Sequence, residues 1–416
     1  MSATPTPIPE LARRAKAATS ALAVASTAEK DAALEAAADL LEANAYAIIE
    51  ANAVDVANAE DSGMDAALVD RLRLDAGRIS GMATGLRQLA ALRDPVGEIT
   101  EGWTRPNGLR IEKVRVPLGV VAIIYESRPN VTSDAFGLCL KSGNVAFLRG
   151  SSSAISSNLA IASVLREALP KAGLPADALV VVDDTRREAA TEFMQQRGFV
   201  DCLIPRGGPS LIQSILDNAT VPYVIDGAGN CHIYVDASAD LDMAREITIN
   251  AKTQRIGVCN AAESLVVHAE VASAFLPMAA AALEGVELVG DDRARAIVAM
   301  GEASDDDFAT EYLAMKMSVK VVDDLDAAIA HVNATSTGHS EAIITNDIGS
   351  ADRFAREVDA AAVLVNASTR FVDGEEFGFG AEIGISTQKL HARGPMGLEQ
   401  LTSQKFVVRG AGQVRG

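Results

Sequence analysis

The most reactive segment of the chain is Lys252-Thr-Gln-Arg-Ile-Gly-Val-Cys-Asn260. A cysteine follows a helical stretch and a glycine, with Lys252 and Arg255 just before it. Nearby cations stabilise a thiolate and lower a thiol pKa, so Cys259 is a candidate nucleophile, with a buried structural cysteine as the alternative that spacing alone leaves open. Gly257 lets the backbone come close to a ligand. The other cysteines, Cys139, Cys202 and Cys231, lie in apolar strand or helix contexts and read as core residues. No C-x-x-C pair and no Cys/His cluster with zinc-ligand spacing occurs, so no metal is expected.

Three further segments join a strand to a helix, where open α/β sheets bind their ligands. Tyr125-Glu-Ser-Arg-Pro-Asn-Val-Thr132 offers Ser127, Arg128 and Asn130 as donors, with Asn130 or Thr132 as a helix cap. Pro205-Arg-Gly-Gly-Pro-Ser210 places Gly207 and Gly208 at a helix start, which suits a pyrophosphate as well as a tight turn. Phe147-Leu-Arg-Gly-Ser-Ser152 ends a strand with Arg149, Ser151 and Ser152 and no following acid. A cation with hydroxyls accommodates a ribose 2′-phosphate, which favours NADP(H) over NAD(H). Histidine is scarce: His331 reads as structural, whereas His339 and His391 fall in loops.

These segments need a scaffold of alternating strands and helices. From Glu10 to Leu92 the pattern is helical, with Leu34, Ala37, Leu41, Ala45 and Ile48 at helical spacing. Residues 108–116 mix apolar and charged residues and fit an exposed antiparallel strand or arm. Apolar strands then fall at 120–125, 145–148, 179–182, 200–204 and 223–225. Helices fit between them at 133–141, 154–169, 188–197 and 210–219. A second series of strands runs through 232–235, 265–267, 286–289, 318–322, 342–345 and 363–366. This rhythm predicts parallel βαβ units and a doubly wound sheet, with a boundary near Asp226-Gly-Ala-Gly-Asn230.

With 416 residues, the chain has room for two or three units of ~100–200 residues each. Hydrophobic residues make up 49% of it, enough for sizeable cores. The formal charge of −19 disfavours nucleic-acid and membrane partners, since an acidic surface repels phosphates and anionic lipids. No signal-peptide core and no membrane-length apolar run is legible, so a reduced, cytoplasmic protein is expected.

Taken in order, VVAIIYESRPNVT (120–132), NCHIYVD (230–236), QRIGVCNAAE (254–263), HSEAI (339–343), GFGAEIGIS (378–386) and LHARGPMGL (390–398) resemble the aldehyde dehydrogenase superfamily. Within it, they resemble a branch that reduces acyl phosphates. The resemblance implies an α/β fold with a Rossmann-like cofactor domain (1–102 and 117–229), an α/β catalytic domain (230–399) and a small β oligomerisation arm (103–116 and 400–416). It matches Cys259 to the catalytic cysteine and Arg149 to a lysine that contacts the adenosine ribose. Gly207 and Gly208 match the helix start beside the pyrophosphate, and Glu311 the holder of the nicotinamide ribose. Hydrolytic members carry a water-activating Glu-Leu-Gly-Gly where this chain has Asp226-Gly-Ala-Gly229. They also carry an oxyanion-donating asparagine where it has Ser127. Both changes fit exchange of a thioester with phosphate, whereas a hydrolytic NAD(P)-dependent aldehyde dehydrogenase is the alternative. Gly207-Gly208-Pro209 replaces a more usual Gly-Ser, which bears on the pyrophosphate contacts. The implied substrate is L-glutamyl 5-phosphate, bound by Arg128, Asn130, Arg255 and Arg370, with Ser127 donating to the oxyanion. A homo-oligomer is expected, and an association with glutamate 5-kinase is left open.

Overall fold

The computed structural model describes residues 5–225 and 227–415. The chain divides into two compact units. The first comprises Met1–Ile225, Phe379–Gly384 and Met396–Gly416; the second comprises Asp226–Gly378 and Ile385–Pro395.

The first unit opens with five helices, Ile8–Leu22, Thr27–Ala43, Ala45–Asp61, Ala66–Leu72 and Ala76–Ala91. Leu34, Ala37, Leu41 and Ile48 are buried as their spacing predicts. The register passes through a break: the second helix ends at Ala43, Asn44 caps it, and the third begins at Ala45, which is only half-buried. These helices and Asn130–Lys141 and Ile155–Lys171 accompany a four-stranded parallel sheet. Its order is Leu179–Val181, Val145–Arg149, Val120–Tyr125, Cys202–Arg206. Val120–Tyr125 is buried along its whole length, as a strand covered on both faces must be. Successive strands leave it in opposite directions, so the switch point lies between Val120–Tyr125 and Cys202–Arg206. The loops after these two strands are Glu126–Pro129 and Gly207–Gly208.

A separate antiparallel sheet joins Ile99–Thr104, Arg110–Pro117 and Thr402–Arg409, in that order. It displays Trp103 and Phe406, edge to face at 6.3 Å, and Phe406 remains 60% exposed.

The second unit holds a seven-stranded parallel sheet. Its order is Gly301–Glu302, Glu287–Gly290, Lys316–Val322, Ala262–His268, Cys231–Val235, Ser340–Ile344, Ala362–Val365. Its core joins Ile233, Val235, Leu265, Val267, Phe275, Val319 and Ile344.

Two local expectations are corrected. Residues 223–225 form no strand; Tyr223 makes an isolated parallel bridge to Leu203. The helix expected over 188–197 ends at Phe193 and is only the short Arg187–Phe193. Gly198, at φ +85°, turns the chain soon after. No helix among the described residues is long and apolar enough to cross a membrane.

Candidate active site

In the second unit, Cys259 lies in the loop between the helix Leu241–Thr253 and the strand Ala262–His268. It sits at the amino end of that strand, opposite to where open α/β sheets usually bind ligands. All four cysteines are thiols, but only Cys259 is half-exposed. Burial pushes the Cys202 thiol up to about 12 and the Cys139 and Cys231 thiols above their ordinary range. Three thiols are thereby kept neutral and inert, in line with their reading as core.

The Cys259 backbone is held closely. The Cys231 thiol donates to the Cys259 carbonyl at 3.2 Å. Gly229 lies against the same carbonyl, so closely that a Cβ there would come within 1.5 Å of its oxygen. Next along the chain, the Asn260 carbonyl accepts from Thr369 Oγ1 at 2.7 Å, and Asn260 Nδ2 donates to the Val372 carbonyl at 3.0 Å. The short turn Thr369–Phe371 is thus stitched to the loop that carries Cys259.

That turn carries Arg370, whose Nε donates to Gln254 Oε1 at 2.8 Å. Burial lowers the Arg370 pKa, the like charge of Arg255 lowers it further, and Asp373 and Cys259 oppose that. Arg370 is therefore within electrostatic reach of both Arg255 and Cys259. Arg255 is exposed. Two arginines beside a thiol can hold an anionic substrate and favour the thiolate.

Lys252 is a correction to the sequence reading. Its ammonium is fully buried and paired at 2.5 Å with Glu263, itself fully buried, so its charge is already matched by a carboxylate. Glu311 accepts from the Gly229 N–H at 2.7 Å, and burial raises its pKa. It therefore braces the residue that packs on Cys259. Asp226 lies outside the described residues.

The first unit holds five of the six expected cofactor residues, Arg149, Ser151, Ser152, Gly207 and Gly208, whereas Glu311 belongs to the second. Ser127 Oγ and Ser153 Oγ are hydrogen-bonded at 2.6 Å, and Ser153 Oγ and Ser151 Oγ at 2.8 Å. Ser151 also caps the short turn Ser152–Ala154 by accepting from the Ser153 N–H. Ser152 is exposed. Ser153 links Ser127 to the 151–152 loop, a role its sequence position did not disclose. Arg149 Nη2 donates to the Arg186 carbonyl at 3.0 Å, while its Nε is buried without a hydrogen-bond partner among the described residues. An orphaned cationic donor beside three hydroxyls fits a phosphorylated nucleotide.

Gly207 and Gly208 do begin the helix Pro209–Asn218. However, the Gly208 N–H donates to Glu126 Oε1 at 3.0 Å, and a Cβ at Gly207 would strike the same carboxylate. A protein carboxylate already occupies part of the expected anion cradle, and Glu126 was not anticipated. Neither expected cap is used at Asn130–Lys141, where Pro129 is the cap residue with no side-chain bond. The Asn130 amide instead reaches Asp134 at 2.9 Å, and Thr132 Oγ1 bonds Tyr125 and Asn158 inside the core. Arg128 is exposed and shares the loop with Ser127. His339 is buried against Ser340, and burial holds its pKa down to about 4. A neutral, enclosed imidazole of that kind is a core group.

A model of the aldehyde dehydrogenase family matches residues 1–314 and 297–407. A gamma-glutamyl phosphate reductase from Caldanaerobacter subterraneus subsp. tengcongensis is 53% identical over 407 residues, covering 97% of this chain and 98% of that relative. The crystal structure of a gamma-glutamyl phosphate reductase from Thermotoga maritima superposes with a TM-score of 0.97 at 48% identity, covering 99% of this chain and 100% of that one. An acetylating aldehyde dehydrogenase from Geobacillus thermoglucosidasius shares the fold at 18% identity and a TM-score of 0.69, covering 98% and 97% of the two chains.

Proposed function

The chain belongs to the aldehyde dehydrogenase family, and from that membership we propose that it reduces L-glutamyl 5-phosphate to L-glutamate 5-semialdehyde and phosphate with NADPH. This is the second step of making proline from glutamate. One observation carries the proposal at the level of chemistry: Cys259, the one half-exposed thiol of the four, is electrostatically coupled to Arg370, which also feels the charge of Arg255. The gamma-glutamyl phosphate reductases that the chain matches supply the substrate.

Cys259 thiolate attacks the acyl carbon of the substrate. Backbone N–H groups of its loop stabilise the oxyanion, with Ser127 as the side-chain donor. Collapse breaks the acyl–oxygen bond and expels phosphate, leaving a thioester. Arg255 takes the phosphate, with Arg128 and Asn130 as further anion and polar ligands. Arg370, aimed by Gln254, takes the α-carboxylate. What the nicotinamide supplies when bound is a hydride for the thioester carbonyl. The resulting thiohemiacetal collapses, releasing the aldehyde and regenerating Cys259.

The groups that would hold the dinucleotide are Arg149, Ser151 and Ser152 at the adenosine end, Gly207 and Gly208 at the pyrophosphate and Glu311 at the nicotinamide ribose. The orphaned Arg149 Nε supports a 2′-phosphate, hence NADP(H). In this reading 1–102 and 117–229 serve the cofactor, 230–399 catalysis, and 103–116 with 400–416 self-association, in a cytoplasmic homo-oligomer. Because acyl phosphates are labile, association with glutamate 5-kinase completes the proposal.

The test is oxidation of glutamate semialdehyde with NADP+, with and without phosphate. Turnover is expected only with phosphate. Equal turnover without phosphate makes the enzyme hydrolytic, and near-normal activity of Cys259→Ser rules out the thioester. An equal kcat/KM for NADH and NADPH removes the assignment of NADP(H).

A further inference from the structure

We propose that the buried Lys252–Glu263 pair is the positioning device of the nucleophile, closing the base of the loop that presents Cys259. The inference rests on the reading of Cys259 as nucleophile. Lys252 is the second-last residue of the helix Leu241–Thr253, and Glu263 the second residue of the strand Ala262–His268. They are eleven positions apart, with Cys259 between them. Their 2.5 Å contact pins together the two points where the loop leaves regular structure.

Stability alone does not account for such a pair. Two charges taken out of water gain little over apolar side chains of the same size, and such replacements are often neutral or favourable. What a buried pair does provide is direction, since the ammonium and carboxylate must meet in one geometry. Burial raises the Glu263 pKa to about 7 and lowers that of Lys252, so the site is costly for both charges.

The second oxygen of Glu263 extends the device. It accepts from the Leu313 N–H at 3.1 Å, where Leu313 has the left-handed φ of 51°, rare for a branched side chain. Leu313 is two residues from Glu311, which holds the Gly229 N–H. Gly229 in turn lies on the Cys259 carbonyl. One carboxylate thus governs the loop twice, through Lys252 at its base and through the 311–313 segment at the Cys259 backbone.

The test uses Lys252→Met/Glu263→Gln, which removes both charges together and keeps an oxygen for the Leu313 N–H. The double variant is expected to keep a Tm near wild type and KM values within about twofold, while kcat falls at least tenfold. Alkylation of Cys259 by iodoacetamide at pH 7 is expected to slow at least fivefold, because the thiol no longer sits in register with Arg255 and Arg370. A kcat within threefold of wild type, with alkylation unchanged, overturns the proposal. Should the double variant not fold, Glu263→Asp decides: it keeps the charge and shortens the arm. Its kcat must fall about tenfold at unchanged KM, with partial recovery in Glu263→Gln, which restores the length; unchanged kcat in Glu263→Asp overturns the proposal. If the wild-type protein shows no phosphate-dependent turnover, the functional reading fails, and the alkylation rates still judge the positioning.

Discussion

Gly229→Ala tests how tightly the nucleophile is placed. A Cβ at this position would lie 1.5 Å from the Cys259 carbonyl oxygen and 2.8 Å from its Cα. Ordinary contact begins at 3.4 Å, so one backbone must retreat by about 1.9 Å. Neither side yields easily. Gly229 is anchored through its N–H to Glu311, and the Cys259 carbonyl is bonded by the Cys231 thiol. A misplacement of ~1 Å in a reacting group costs on the order of 10²-fold in rate. The expected loss in kcat is therefore at least about 10²-fold, or ~2.7 kcal/mol in the barrier. Overpacking adds a stability cost of ~1–3 kcal/mol, so the folded fraction must be measured as well. The assay is phosphate-dependent reduction of NADP+ by glutamate semialdehyde, paired with dinucleotide affinity by fluorescence titration. Affinity is expected to fall less than kcat, because the change disturbs Glu311 at the nicotinamide end and leaves Arg149 and its serines, far along the chain, in place. If Gly229→Ala keeps kcat within threefold of wild type, the close placement of Cys259 by its backbone is wrong.

Three further outcomes are expected. Glu126→Gln removes a negative charge from the start of Pro209–Asn218, so KM for NADPH should fall about two- to fivefold, the ~0.3–1 kcal/mol of a charge at a helix end; a rise in KM would mean that Glu126 helps to hold the cofactor. His339 is held down to about 4 by burial, below its unfolded value of 6.5, so its contribution is present above pH 6.5 and lost as pH falls toward 4. That amounts to about 3 kcal/mol, and chemical denaturation between pH 7 and 4 should show a flatter profile for His339→Gln; parallel profiles would contradict the burial argument. Phe406→Glu places a charge on the exposed antiparallel sheet, and light scattering should show a smaller assembly than wild type; an unchanged mass would remove this sheet from the self-association interface.

The scaffold was readable because parallel strands buried on both faces leave continuous apolar runs. Val120–Tyr125 is such a run, and it matched its strand to the residue. Tyr223–Ile225 looked the same in composition but found no ladder partner beyond one bridge, since pairing depends on residues remote in sequence. At the site, the half-exposed setting that separates Cys259 from the three buried cysteines was legible, but the use of its neighbours was not. Lys252 lies seven positions before the thiol and looked like its cation, yet the carboxylate that claims it comes only after the loop. Gly229 and Glu126 carried no local signal, because their roles come from atoms 30 and 82 residues away. Spacing reveals residue chemistry, whereas competition between partners is settled only by packing.

The strand Thr402–Arg409 pairs with Arg110–Pro117, and Arg115 and Thr402, bonded across that sheet, are 287 positions apart. Closing a loop of that length costs on the order of 5 kcal/mol in chain entropy, beyond a constant term. During synthesis, the exposed sheet therefore stays a two-stranded hairpin until Thr402–Arg409 has emerged, and such hairpins are marginal alone. A nascent chain interrupted before Thr402 lacks the strand bearing Phe406, so the face that displays Trp103 and Phe406 forms only once that strand has been made.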